Sequence, residues 1–149
     1  MGILLGIADP VRDLLALIAH ARFLAGLSPD AHITVSLPRL RPAVPGFRPF
    51  AAVDDESLLR YYAVLRLALP GAGLVISTRE RPEMRRRLLE AGVTQMSAGS
   101  VTVPGGYGME ANEGPQFDVA DHRPVSEVVN DLEGLGYTIR WEVASHGVP

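Results

Sequence analysis

The sequence has 149 residues, a formal net charge of −3, 47% hydrophobic residues and no cysteine. That length predicts one domain, residues 1–149, with a core of its own. No apolar run reaches the ~20 residues needed to span a bilayer, the opening MGILLGIADP lacks the basic start and cleavage site of a signal peptide, and the mixed charges offer no nucleic-acid surface. Lack of cysteine excludes a disulfide scaffold, a thiol nucleophile and any Cys-held zinc or iron–sulfur cluster within the chain. The expected location is cytoplasmic.

Gly2 to Ala8, GILLGIA, reads as a strand closed by Asp9-Pro10, a helix N-cap followed by proline at the first helical position. Val11, Leu14, Leu15, Leu17, Ile18, Ala21 and Leu24 then recur at helical spacing, and Gly26 and Pro29 end that helix. Ile33 to Leu37 is a second strand. The prolines of Pro38-Arg39-Leu40-Arg41-Pro42 hold the following stretch extended, and a long loop runs on to Val53. Asp54 or Asp55 caps a second helix through Leu67, where the acids of Asp54-Asp55-Glu56 meet the positive end of the helix dipole.

Leu74 to Ser77 is a short β-branched run that ends in Ser77-Thr78-Arg79-Glu80, and it reads as a buried strand. Pro82 opens a third helix, Arg81 to Glu90, whose Arg85-Arg86-Arg87 run reads as a solvated basic face. Gly92 ends it. Val93 to Ser97 is a fourth strand. Ala98 to Arg123 is rich in glycine and has no period, so it reads as an ordered loop or a lid. Val125 to Leu135 is a fourth helix, and Tyr137 to Val143 a terminal strand or extended tail. The whole is α/β: four β/α units, a parallel sheet with right-handed crossovers. A closed (β/α)₈ barrel takes twice as many units, so the chain is a small open sheet or half of a barrel.

Three polar clusters fall at strand ends: Ser36 with Arg39 and Arg41; Ser77, Thr78, Arg79 and Glu80; and Ser97, Gly99, Ser100 and Thr102. A parallel sheet puts all three on one rim, where ligands sit. An arginine there holds a carboxylate or phosphate in a fixed orientation. The competing reading of Arg79 is an ion pair with Glu80 or Glu83 that only caps the next helix. Gly105-Gly106-Tyr107-Gly108 lacks the Lys-Ser/Thr of a P-loop and reads as a flexible turn. His20, His32, His122 and His146 have no ligand-like spacing, so no metal site is expected. No GxSxG motif or triad is present.

Read together, TVSLPRLRPA (Thr34 to Ala43), LVISTRERPEMR (Leu74 to Arg85), QMSAGSVTVPGGY (Gln95 to Tyr107) and QFDVADHRP (Gln116 to Pro124) resemble the radical S-adenosylmethionine tyrosine lyases. That family includes the 2-iminoacetate synthase of the thiamine pathway and the tyrosine-cleaving maturase of [FeFe]-hydrogenase. The resemblance implies units five to eight of a TIM-type barrel, with the biotin and thiamin synthesis associated domain. It implies that Arg79 and Ser97 help hold the carboxylate of an amino-acid substrate; Ser77 and Ser100 join them as candidates from the strand-end clusters. Arg39 and Arg41 match a PRLRP motif whose residues are active-site rim or structural.

The family's CxxxCxxC motif, which holds a [4Fe–4S] cluster, is absent. Expectation is therefore of a module that binds no cofactor by itself and is not catalytic alone. S-adenosylmethionine and the cluster enter only if a partner half supplies the cysteines. Three roles remain: the substrate half of a split lyase completed by a separate N-terminal half-barrel; an amino-acid-binding or regulatory module without chemistry; or a degenerate relic. Exposed sheet edges predict a homodimer or a heterologous half-barrel partner in each case.

Overall fold

A computed structural model describes residues 1–40, 48–100 and 119–141. Asp9 caps helix α1 (Pro10–Leu27): its carboxylate accepts from the Val11 and Arg12 N–H groups at 2.9 and 3.1 Å, with Pro10 in the first turn. The helix passes through Gly26, which touches nothing around it, and ends one residue later than the glycine signal predicts. Strand β1 (Thr34–Ser36) follows, then α2 (Asp55–Ala68), capped by Asp54, which accepts from Ser57 N–H at 2.7 Å. Next come β2 (Gly73–Ile76), α3 (Pro82–Glu90), β3 (Gln95–Met96) and α4 (Val125–Gly134).

The strands pair in sequence order, β1-β2-β3, and both pairings are parallel, with Val35 opposite Leu74 and Ile76 opposite Met96. The opening stretch lies on the outer side of β1, also parallel, but it is not the continuous strand predicted over Gly2–Ala8. It makes two isolated bridges, Gly2 to Ser36 and Leu5 to Arg39. The reason is local. Pro38 has no N–H to give to a ladder, and Gly6 turns the chain away at a φ of 111°. The opening stretch and the three strands are still laid side by side in chain order, each followed by its helix and each added on the same edge. That winding belongs to barrels; doubly wound sheets reverse their order partway.

Alternation along the strands sets the layers. Val35, Leu37, Leu74 and Ile76 are buried against the helices, in one cluster with Leu14, Leu17 and Ile18 of α1, Leu58, Tyr62 and Leu65 of α2, and Met84 and Leu88 of α3. The residues between them, Thr34, Ser36 and Val75, turn to the other face and stay half-buried. Two apolar positions of the predicted α1 face, Val11 and Leu15, lie outside the core and are 54% and 62% exposed. They begin a row at four-residue spacing that continues through Phe23 and Leu27. Helix α1 is therefore apolar on more surface than its own sheet covers.

No strand forms over residues 137–141, the described part of the predicted terminal strand. Most of the predicted loop over Ala98–Arg123, including Thr102 and the Gly105–Gly108 turn, lies outside the described residues, as does Arg41.

Candidate functional site at the carboxyl ends of the strands

A hollow of about 410 Å³ opens where the strands end. Ser36 at the end of β1 and Leu37 and Pro38 after it line one side, and Val75 to Glu80 of β2 and the turn that follows line another; Leu4, Tyr62 and Ser100 complete the walls. Three of the predicted site residues, Ser77, Arg79 and Ser100, thus meet around one space, while Ser97 is not among its lining residues. The Ser97 N–H donates to the Ile76 carbonyl at 3.1 Å, continuing the β2–β3 ladder by one step and bringing Ser97 beside Ser77. Arg79 is half-buried at the edge of this hollow, and its N–H reaches the Ser77 hydroxyl at 3.4 Å.

Arg39 is built into the scaffold differently. Its Nε donates to Glu80 Oε1 at 3.0 Å and its Nη2 to Glu80 Oε2, a forked pair across the ends of β1 and β2. Its Nη1 donates to the Val53 carbonyl at 3.1 Å and to Asp55 Oδ1 at 2.8 Å. The guanidinium thus locks the β1 end, the β2 turn and the start of α2 together. Burial works against its charge, but Glu80 and Asp55 outweigh that and hold the proton more tightly than usual. The same Arg39 contact keeps the Asp55 carboxyl below its ordinary range despite burial. Glu80, one of the two partners that the competing reading offered Arg79, binds Arg39.

Beneath the hollow, Tyr62 of α2 is fully buried. Its hydroxyl accepts from the Leu37 N–H at 3.2 Å and donates to the Val75 carbonyl at 2.8 Å. It stitches β1 to β2 where the strands part. Burial pushes the phenol up to about 12, so it stays protonated.

The largest departure is Arg85. The basic run of α3 is not a uniformly solvated face: Arg86 and Arg87 are exposed, but Arg85 is 0% exposed. Helical geometry explains it, because position 85 lies between Met84 and Leu88 on the side that meets the sheet. The guanidinium donates through Nη1 to Asp121 and through Nη2 to the Ser97 carbonyl. Asp121 is itself 1% exposed and accepts from Arg123 as well, through Nε and Nη2 at 2.8 Å each. Burial alone would raise the Asp121 carboxyl. The Arg123 hydrogen bonds and the Arg85 charge overcome that and hold it at about 2. Helical spacing around Met84 and Leu88 was the signal available for Arg85; three consecutive arginines obscured it.

Parallel strands in sequence order, with a hollow at their carboxyl ends that carries Arg79 and several hydroxyls, define part of a TIM-type barrel with its ligand end open. The chain belongs to the family described as the biotin and thiamin synthesis associated domain, whose profile matches residues 36–138. It is 33% identical over 143 residues to 2-iminoacetate synthase of Escherichia coli K12, covering 95% of this chain and 38% of that protein. The X-ray structure of the FeFe-hydrogenase maturase HydG from Carboxydothermus hydrogenoformans superposes with a TM-score of 0.77 at 39% identity, covering 91% of this chain and 31% of that one. A second HydG crystal structure gives 0.81 at 37% identity over 91% of this chain and 30% of that one. The chain matches the C-terminal half of radical S-adenosylmethionine tyrosine lyases and spans little more than a third of the curated relatives' length. It is a tyrosine-lyase-related module.

An iron–sulfur cluster does not fit the residues present. The sequence has no cysteine, and among the described residues no three His, Asp or Glu side chains converge as metal ligands. Among the described residues, no helix is long and apolar enough to cross a membrane.

Proposed function

We propose that the chain is the substrate-side half of a tyrosine lyase of the radical S-adenosylmethionine type. Its rim holds the carboxylate of an amino acid, tyrosine in the first instance. The Arg79 guanidinium supplies the charge, and the hydroxyls of Ser77, Ser97 and Ser100 supply orientation. The observation that carries this reading is the meeting of Arg79, Ser77 and Ser100 around one hollow at the carboxyl ends of parallel strands. Arg39 and Glu80 brace that rim. Arg41 belongs to the same PRLRP motif and is a further rim candidate.

The cluster and S-adenosylmethionine belong to residues outside these 149, on a cysteine-bearing N-terminal half-barrel. Two features support a partner there. The opening stretch and β3 are the unpaired edges of the described sheet, and α1 carries the exposed row Val11, Leu15, Phe23 and Leu27. A second copy of the chain offers another cover for the same edges. The absence of cysteine favours one further reading, an amino-acid-binding module that does no chemistry.

Calorimetric titration with L-tyrosine, tyramine and 3-(4-hydroxyphenyl)propionate tests the carboxylate claim. Tyrosine and the propionate bind saturably and tyramine, which has no carboxylate, does not. Tyramine binding as tightly as tyrosine would overturn the reading.

A further inference from the structure

Two backbone carbonyls of the rim are held from behind by one buried ion pair. The Ala120 and Asp121 N–H groups both donate to the Thr78 carbonyl, at 2.9 and 3.0 Å, so Asp121 is fastened to the turn between Ser77 and Arg79. The Asp121 carboxylate grips Arg85, and Arg85 reaches the Ser97 carbonyl. The β2–β3 ladder ends at Ile76 and Met96, so this pair joins the two rim clusters past the point where the sheet can. Gly99, two residues beyond Ser97, turns at a φ of 61°, and Ser100 at the wall of the hollow follows it directly. The Arg85 Nε is buried without a hydrogen-bond partner. The anchoring therefore falls on the two Nη groups, one for each acceptor.

We propose that Arg85 is a positioning residue: held by Asp121, it fixes the Ser97 carbonyl and thereby sets the Ser97 hydroxyl and the Ser97–Ser100 turn in register with Ser77 and Arg79. This rests on reading the rim as an amino-acid carboxylate site. A lysine at position 85 keeps the charge and the pairing with Asp121, but a single ammonium lacks the planar fork that spans two acceptors in fixed directions. A purely structural pair behaves otherwise, since replacing both partners by apolar groups of similar size restores whatever the pair supplied.

The test uses the full chain with L-tyrosine as the calorimetric probe, and hydrogen exchange of the peptide covering residues 97–100 as a ligand-free measure. Arg85→Lys folds, weakens tyrosine by about ten-fold, the worth of one charge-assisted hydrogen bond, and speeds exchange at 97–100. Arg85→Met leaves Asp121 without this partner and loses stability; the double variant Arg85→Met/Asp121→Leu, which also takes that carboxylate from Arg123, keeps the weak binding and the fast exchange in its folded fraction. Arg85→Lys with wild-type affinity and exchange overturns the proposal, as does a double variant that regains both. Wild-type chain that binds no tyrosine sinks the site reading instead. The exchange result then decides by itself: faster exchange at 97–100 in Arg85→Lys upholds the positioning role, and unchanged exchange refutes it.

Discussion

The Tyr62 hydroxyl shows how single groups hold the ligand end of this sheet in shape. It satisfies the Leu37 N–H and the Val75 carbonyl at the point where β1 and β2 stop pairing. Tyr62→Phe keeps the ring in the core but leaves both backbone groups buried without that partner. The expected loss is about 1–3 kcal/mol in urea unfolding, and an unchanged midpoint would show that water takes the hydroxyl's place.

Asp121 gives the matching prediction in pH. Its carboxyl falls from the ordinary 3.8 to about 2 on folding. A depressed carboxyl adds stability that is present above the unfolded value and lost as pH falls through the folded one. Stability therefore declines between about pH 4 and 2, and Asp121→Asn shallows that decline in pH-dependent thermal melts. A variant with the wild-type slope would place the acid sensitivity on other carboxylates, such as Asp55 and Asp131, which are also held low.

Elements differ in how openly the sequence declares them. Helices α1 and α2 were legible to within a residue or two, because Asp9-Pro10 and Asp54 are cap signals with a direct physical cause. Asp9→Ala accordingly costs about 1 kcal/mol in thermal or urea unfolding. The opening strand was not legible as two bridges, since GILLGIA carries strand composition while the interruption comes from its neighbour, Pro38, more than thirty positions away.

The three strand-end clusters were readable as one rim because parallel winding forces them together. The division of labour within the rim was not. That Glu80 meets Arg39, forty-one positions away, depends on where β1 ends relative to β2, a tertiary fact. Arg85 was misread for a related reason: a run of like charges looks solvated until the helix is docked and one of the three points inward.

At the scale of the whole molecule the apolar row on α1 has no cover among the described elements, although α1 packs on α2 and its buried side shares one core with the strands. The relatives it matches are about three times longer. Phe23→Ser/Leu27→Ser should therefore leave the melting temperature of the isolated chain within a degree or two, since both side chains are more than 60% exposed. In sedimentation velocity the same variant should weaken self-association, or binding to a cysteine-bearing half-barrel. Unchanged association would move the interface elsewhere, to the sheet edges alone.

The central claim is that two arginines of one rim have been given different work, Arg79 to the ligand and Arg39 to the frame. Tyrosine titration of Arg79→Ala and Arg39→Ala, each paired with its own melting curve, tests this most directly. The account predicts that folded Arg79→Ala loses tyrosine binding, whereas Arg39→Ala, which strips the buried Glu80 of this partner, melts lower while its folded fraction still binds. Tyrosine affinity that survives Arg79→Ala unchanged would contradict it.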